Sequence, residues 1–172
     1  MAHDAQKNYC IYVSQLLPKY FSNKSVLDVG CLDVNGNNRY LFTNCDYTGL
    51  DIGEGPNVDI VMPAHEYAAS TDIQFDVVIS TEMLEHDCHR ADSLKGIYNL
   101  AKSGGLILLT AATTGRFKHG THDAFPDSSP FTLDYYENVT SEMLTEELVK
   151  YGFTDYKISV VDTDIQFWGI KR

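Results

Sequence analysis

Apolar side chains recur along this chain in two periods, one helical and one extended. Tyr9, Val13, Leu16, Leu17, Tyr20 and Phe21 fall at helical spacing within residues 4–21, which predicts an amphipathic helix that Pro18 bends or ends. Residues 25–29, 46–50 and 58–61 are short apolar runs bounded by glycine, asparagine and proline, and predict three strands. Residues 75–80 and 106–111 carry near-continuous β-branched and leucine runs, the mark of strands buried on both faces. Between them, residues 88–102 place Leu94, Ile97, Tyr98 and Ala101 on one helix face, with Ser103-Gly104-Gly105 as the stop. A helix over 140–151, capped by Thr140 or Ser141 and closed by Gly152, precedes two strands at 155–161 and 165–170. Their short turn, Asp162-Thr163-Asp164, predicts an antiparallel pair. A short helix is expected within 35–43, and one helical turn within the polar, irregular stretch 64–74. Residues 113–137 show no period.

Strands alternating with helices predict an α/β protein: a Rossmann-like, mostly parallel sheet closed by the antiparallel pair, with helices on both faces. Ligands on such sheets bind at the carboxyl ends of the strands. At 172 residues and 44% hydrophobic content, a single domain over 1–172 is expected. A formal charge of −11, with no basic cluster beyond Lys171-Arg172, argues against a polynucleotide partner. The polar start and the lack of any long apolar run predict a cytoplasmic chain without a membrane span. Cys10, Cys31, Cys45 and Cys88 are scattered, so reduced thiols are expected.

Candidate chemistry gathers at residues 25–51. The first predicted strand carries Asp28 and ends on Gly30; a turn from Cys31 to Asn38 follows, and the second strand ends in Asp51. A glycine turn at a strand end and an acid about 20 residues on form a nucleotide-binding layout. Leu32 and Val34 stand where a dinucleotide fingerprint has glycines, which speaks for a ligand without a pyrophosphate. Asp28 inside an apolar strand demands partners.

Four segments then carry a resemblance: VLDVG (26–30), YTGLDI (47–52), FDVVISTEMLEH (75–86) and LAKSGGLILLT (100–110). In this order they resemble class I S-adenosylmethionine-dependent methyltransferases of the type 11-like kind over nearly the whole chain. DVNG (33–36), STEMLEHD (80–87) and TGRFKHGTHD (114–123) resemble a small bacterial and viral group of these enzymes. The resemblance implies S-adenosylmethionine as cofactor and a set of roles. Asp28, Gly30 and Cys31 would meet its methionine end, Asp51 the ribose hydroxyls and Ile52 an adenine face. Ala64 and His65 would meet the adenine edge, and Ser80 and Thr81 would floor the sulfonium.

His119 and His122, in the 113–137 loop, are the candidate catalytic residues, since an imidazole suits removal of a hydroxyl proton. Substrate contact and a purely structural tie remain open for both. Arg116 and Lys118 offer charge to an anionic acceptor group, and Phe117, Phe125, Phe131, Tyr135 and Tyr136 offer pocket walls. No metal site is expected, because the neighbours Glu82, Glu85, His86, Asp87 and His89 alone do not give a ligand geometry. The reading is a methyltransferase acting on a small acceptor, a sugar or another hydroxyl-bearing metabolite, recognised by the amino-terminal segment 1–24 and the 113–137 loop. An inactive cofactor-binding module or complex subunit, and a nucleotide-sugar or dinucleotide enzyme, are the alternatives.

Overall fold

The computed structural model describes residues 3–132 and 134–172. Seven strands form one sheet: β1 (Ser25–Val29), β2 (Asp46–Asp51), β3 (Ile60–Val61), β4 (Phe75–Thr81), β5 (Ala101–Ala112), β6 (Phe153–Val161) and β7 (Asp164–Lys171). Their order is β3-β2-β1-β4-β5-β7-β6. The first five pair in parallel, and β7 runs antiparallel between β5 and β6. Among the described residues four α-helices accompany them: α1 (Asp4–Leu16), α2 (Ala64–Ser70), α3 (Arg90–Leu100) and α4 (Ser141–Glu147). No helix among the described residues is long and apolar enough to cross a membrane, and all four cysteines are free thiols.

Alternation along each strand divides the core in two. Val26, Val77, Ile79, Leu106, Leu108 and Trp168 pack under α1 with Tyr9, Cys10 and Val13. Leu27, Val78, Ile107, Leu109 and Phe167 face the other way, onto α2, α3 and α4. Register explains the sorting: Leu27 pairs with Val78 and Val78 with Ile107, so equivalent residues share a face. Each fully buried valine, leucine, isoleucine or phenylalanine among them contributes roughly 1.5–3 kcal/mol.

Several elements differ from the sequence reading: the helix expected over 140–151 stops at Glu147 and continues as the 3₁₀ turn Val149–Tyr151, and the strand expected over 58–61 shortens to Ile60–Val61. The stretch 64–74 holds a seven-residue helix, α2, because Ala64 and Tyr67 are buried one turn apart in the face shared with α3. The 35–43 segment forms only a 3₁₀ turn, Arg39–Leu41, which buries no side chain. Helix α3 ends at Leu100, and Ala101 already pairs with Phe75. Ser103-Gly104-Gly105 therefore bends a strand, with Gly104 at φ +76°, and the register shifts between Phe75 and Val77.

Candidate active site

A cleft of about 470 Å³ opens at the carboxyl ends of β1, β2 and β4. Asp28, Gly30, Cys31, Asp51, Ile52, Ala64, His65 and Thr81 line it. Ser80 does not: it is fully buried in β4, on the side of Val78, and its hydroxyl has no hydrogen-bond partner among the described residues.

The glycine-poor turn after β1 is held by its own hydrogen bonds. Gly30 and Cys31 donate to the Leu50 carbonyl at 2.8 and 3.3 Å, and Asp33 and Val34 donate to Pro56 and Leu32 at 3.0 Å each. Asp33 in turn accepts from the Gly36 amide and from Asn37 Nδ2, both at 2.6 Å, which locks the Asn35-Gly36 corner. Gly30 is required twice over: φ is +76°, and a Cβ there would lie 2.4 Å from Met83 Cγ. Because these amides are spent internally, the turn presents no nest of free N–H groups to a pyrophosphate.

Asp51 closes the same corner from β2. One carboxylate oxygen accepts from the Leu32 amide at 2.9 Å and the other from the Gly53 amide at 3.1 Å. Burial raises its pKa, and these amides act against that. Asp28 is 2% exposed. Burial pushes its carboxyl up to about 6, against the pull of the Tyr47 hydroxyl, which donates to it at 2.6 Å.

The far end of the cleft is built by the last residue of β4 and the turn beyond it. Thr81 accepts from Asn38 Nδ2 at 3.0 Å. Glu82 is buried in the left-handed region, at φ +55°, a strained conformation for a residue with a side chain. Burial works to raise its carboxyl, and His3, 3.3 Å away, helps hold it below the ordinary range. His86 lines the cleft, and burial, with His119 beside it, lowers its pKa to about 4. Burial and the charge of Glu82 raise Glu85 to about 8.

Neither histidine assigned a catalytic role from the sequence lines the cleft. His119 stands behind His86, ring centroids 4.9 Å apart at 84°, with Nδ1 at 3.0 Å from the Phe117 carbonyl. His122 is exposed, and its backbone amide donates to Asp134. The two cations of the loop are also engaged. Arg116 bonds Asp164 and Thr163, and Lys118 lies 3.0 Å from Asp123. Of the loop aromatics, Phe117 and Phe125 point to solvent at 89% and 74% exposure. Phe131 lines the cleft and packs on Gly53, while Tyr136 packs against His86 and His119.

Several lining or positioning residues carried no sequence signal. Asn57 donates to the Cys31 carbonyl at 2.9 Å and accepts from Arg39 Nε at 3.0 Å, stapling the two loops together. Asn38 was visible only as one of several turn asparagines. The Ser128–Thr132 segment reaches the cleft from a loop that the sequence marks as long but not as folded back.

A family model described as a methyltransferase domain matches residues 1–158. Among curated proteins, the ubiquinone biosynthesis O-methyltransferase of Pseudoalteromonas translucida is 32% identical over 102 residues, 51% of this chain and 43% of that protein. The corresponding protein of Aeromonas salmonicida is 31% identical over 101 residues, 51% of this chain and 42% of that one. The chain thus matches less than half the length of these relatives. Among solved structures, 1,6-didemethyltoxoflavin-N1-methyltransferase of Burkholderia thailandensis, with bound 1,6-didemethyltoxoflavin and S-adenosylhomocysteine, superposes with a TM-score of 0.68 at 17% identity. That superposition covers 97% of this chain and 78% of that one. A SAM-dependent methyltransferase of Archaeoglobus fulgidus gives a TM-score of 0.65 at 18% identity, over 96% and 94%. At such identities the likeness is one of fold.

Proposed function

This chain belongs to the methyltransferase-domain family, and from that premise we propose that it transfers a methyl group from S-adenosylmethionine to a hydroxyl of a small acceptor. The observation that carries the reading is convergence: Asp28, Gly30, Asp51, Ala64, His65 and Thr81, from separate segments, line one cleft. When bound, the cofactor supplies a methyl group already activated by its sulfonium, so the protein has to align, desolvate and manage a proton. Each Asp51 oxygen accepts one amide and retains a lone-pair direction for a ribose hydroxyl. Ile52 and Phe131 offer apolar surface to the base, and Asp28 stands at the amino-acid end of the nucleoside. Glu82, Met83 and His86 bound the acceptor end. The name of the curated relatives, O-methyltransferase, supports a hydroxyl acceptor.

The internally spent amides of the turn weigh against a dinucleotide ligand. Calorimetry with S-adenosylhomocysteine and with NAD tests the cofactor. Binding of the first alone is expected; binding of NAD alone, or of neither, sinks the reading. Transfer of a labelled methyl group to a panel of sugars and phenols tests the chemistry, and tight cofactor binding without transfer would favour an inactive binding module.

A further inference from the structure

Behind the acceptor end of the cleft, the fold gathers three side chains from two distant segments. Glu85 and His86 lie on the 3₁₀ turn Leu84–His86 that comes after β4, and His119 lies in the loop after β5. One ligand atom of each lies within 4.8 Å of the others. The Glu85 carboxyl is fully buried; the backbone at Glu85 and Ala112 acts on it, yet neither oxygen makes a well-formed hydrogen bond among the described residues. His86 is 5% exposed, and its Nδ1 makes none among the described residues either.

Buried carboxyl groups in folded proteins are protonated, paired, hydrogen-bonded or bound to metal. The nearby cations among the described residues are committed elsewhere: Arg116 to Asp164, Lys118 to Asp123, and Arg90 to Glu137 and Glu147. His119 is prepared in a further way. A backbone carbonyl at its Nδ1 favours the proton there and leaves the Nε2 lone pair free, the usual support of a ligating histidine. Gly120, at φ +66°, lets the loop come this close, since a Cβ there would lie 2.7 Å from His86 Cε1 and 2.6 Å from Ser129 Cβ.

We propose that Glu85, His86 and His119 form a binding site for a divalent first-row transition cation such as Zn²⁺, Co²⁺ or Fe²⁺. Two imidazoles and one carboxylate are a donor set that these borderline ions accept. Ligand bonds of about 2.0–2.2 Å need donor atoms roughly 3–4 Å apart, so the three side chains would have to draw together around the ion. Glu85 and His86 are sequence neighbours and a poor pair alone; His119 is the ligand that adjacency cannot reveal. A second cluster among the described residues, His3 with Glu82 and Asp164, carries no such inference, because Arg116 already neutralises Asp164. Three protein ligands leave coordination positions open, and His86 lines the cleft, so a bound ion would polarise an acceptor oxygen. That use rests on the methyltransferase reading; the site itself does not.

The test is titration of the untagged, metal-stripped full chain with Co²⁺, followed by visible absorption, and with Zn²⁺ by calorimetry. One equivalent is expected to bind, with affinity at least about tenfold weaker in His119→Ala and in Glu85→Gln. His122→Ala and His3→Ala should bind like the wild type. Circular dichroism and thermal melting report whether each variant is folded, and His119→Ala decides the matter if Glu85→Gln fails to fold. No stoichiometric binding by the wild type, or wild-type affinity in folded His119→Ala, overturns the proposal. Co²⁺ binding lost in His119→Ala, in a chain that does not bind S-adenosylhomocysteine, would uphold the site and count against the methyltransferase reading alone.

Discussion

Asn38 donates its side-chain amide to the Thr81 hydroxyl at 3.0 Å, bridging the turn after β1 to the end of β4. Asn38 in turn accepts from Gln6 Nε2 of α1 at 2.9 Å, and both amides are almost fully buried. The chain of three residues therefore ties the amino-terminal helix to the cleft wall. Asn38→Ala removes both bonds and strands a buried Gln6 donor, so a loss of about 2–3 kcal/mol is expected in urea unfolding. A loss below about 0.5 kcal/mol would show that water replaces the amide without cost.

Asp28 makes stability depend on pH. Its carboxyl has an ordinary pKa of 3.8 and rises to about 6 in the fold. A raised folded pKa means that the native chain holds this proton more tightly than the unfolded one. The contribution to stability is therefore greatest at low pH and is lost as pH rises from 3.8 through about 6. That span corresponds to at most about 3 kcal/mol. Asp28→Asn keeps an acceptor for the Tyr47 hydroxyl and cannot ionise. Relative to wild type, the variant should gain stability between mildly acidic and neutral pH while losing affinity for S-adenosylhomocysteine. Parallel stability profiles for the two proteins would remove Asp28 as the source.

The sheet was readable because strands buried on both faces leave near-continuous apolar runs, and β1 begins and ends where those runs do. Helix α2 was not, because its seven residues, AHEYAAS, hold only one large apolar side chain, Tyr67, too few to show a helical period before the helix packs on α3. Within the cleft, Asp28 and Asp51 stood out because an acid in or at the end of an apolar strand is conspicuous. The partners of Asn38 and the meeting of His86 with His119 arise from chain segments that only the fold brings together. The loop 113–137 is aperiodic in sequence, and its fold-back of Phe131 onto Gly53 leaves no periodic trace.

Arg90 of α3 bonds Glu137 at 2.8 Å and Glu147 at 3.0 Å, joining the end of the long loop to α4. Its side chain is 9% exposed, whereas that of Glu137 is 46% exposed and solvent screens part of that pair. Arg90→Ala leaves the mostly buried Glu147 carboxylate, 21% exposed, without its partner. The expected cost is about 2–3 kcal/mol, a fall in melting temperature of roughly 4–12 °C. A melting temperature within about one degree of wild type would mean that the two carboxylates re-solvate freely.

Asp51 has two tasks, and one substitution tests both. Asp51→Ala removes the proposed ribose acceptors and also frees the Leu32 and Gly53 amides that shape the cleft. Two lost bonds to a charged group predict affinity for S-adenosylhomocysteine about 100-fold weaker or more. Thermal melting of the free protein should fall as well, because the turn loses its anchor. Undiminished affinity would place the nucleoside elsewhere.

Phe131 separates two accounts of the long loop. Read from sequence, residues 113–137 recognise the acceptor; in the fold, Phe131 lies on Gly53, next to Asp51 and Ile52, at the proposed nucleoside end. If the ring covers the base, Phe131→Ala should weaken S-adenosylhomocysteine about tenfold, the value of one aromatic contact and its buried area. Because the side chain is 45% exposed, stability of the free protein should change by less than about 1 kcal/mol. If the loop serves only the acceptor, the variant should bind S-adenosylhomocysteine unchanged and show its defect as a raised KM for the acceptor. Calorimetry on the free protein distinguishes these outcomes before any acceptor is known, since it reads the nucleoside end of the cleft alone.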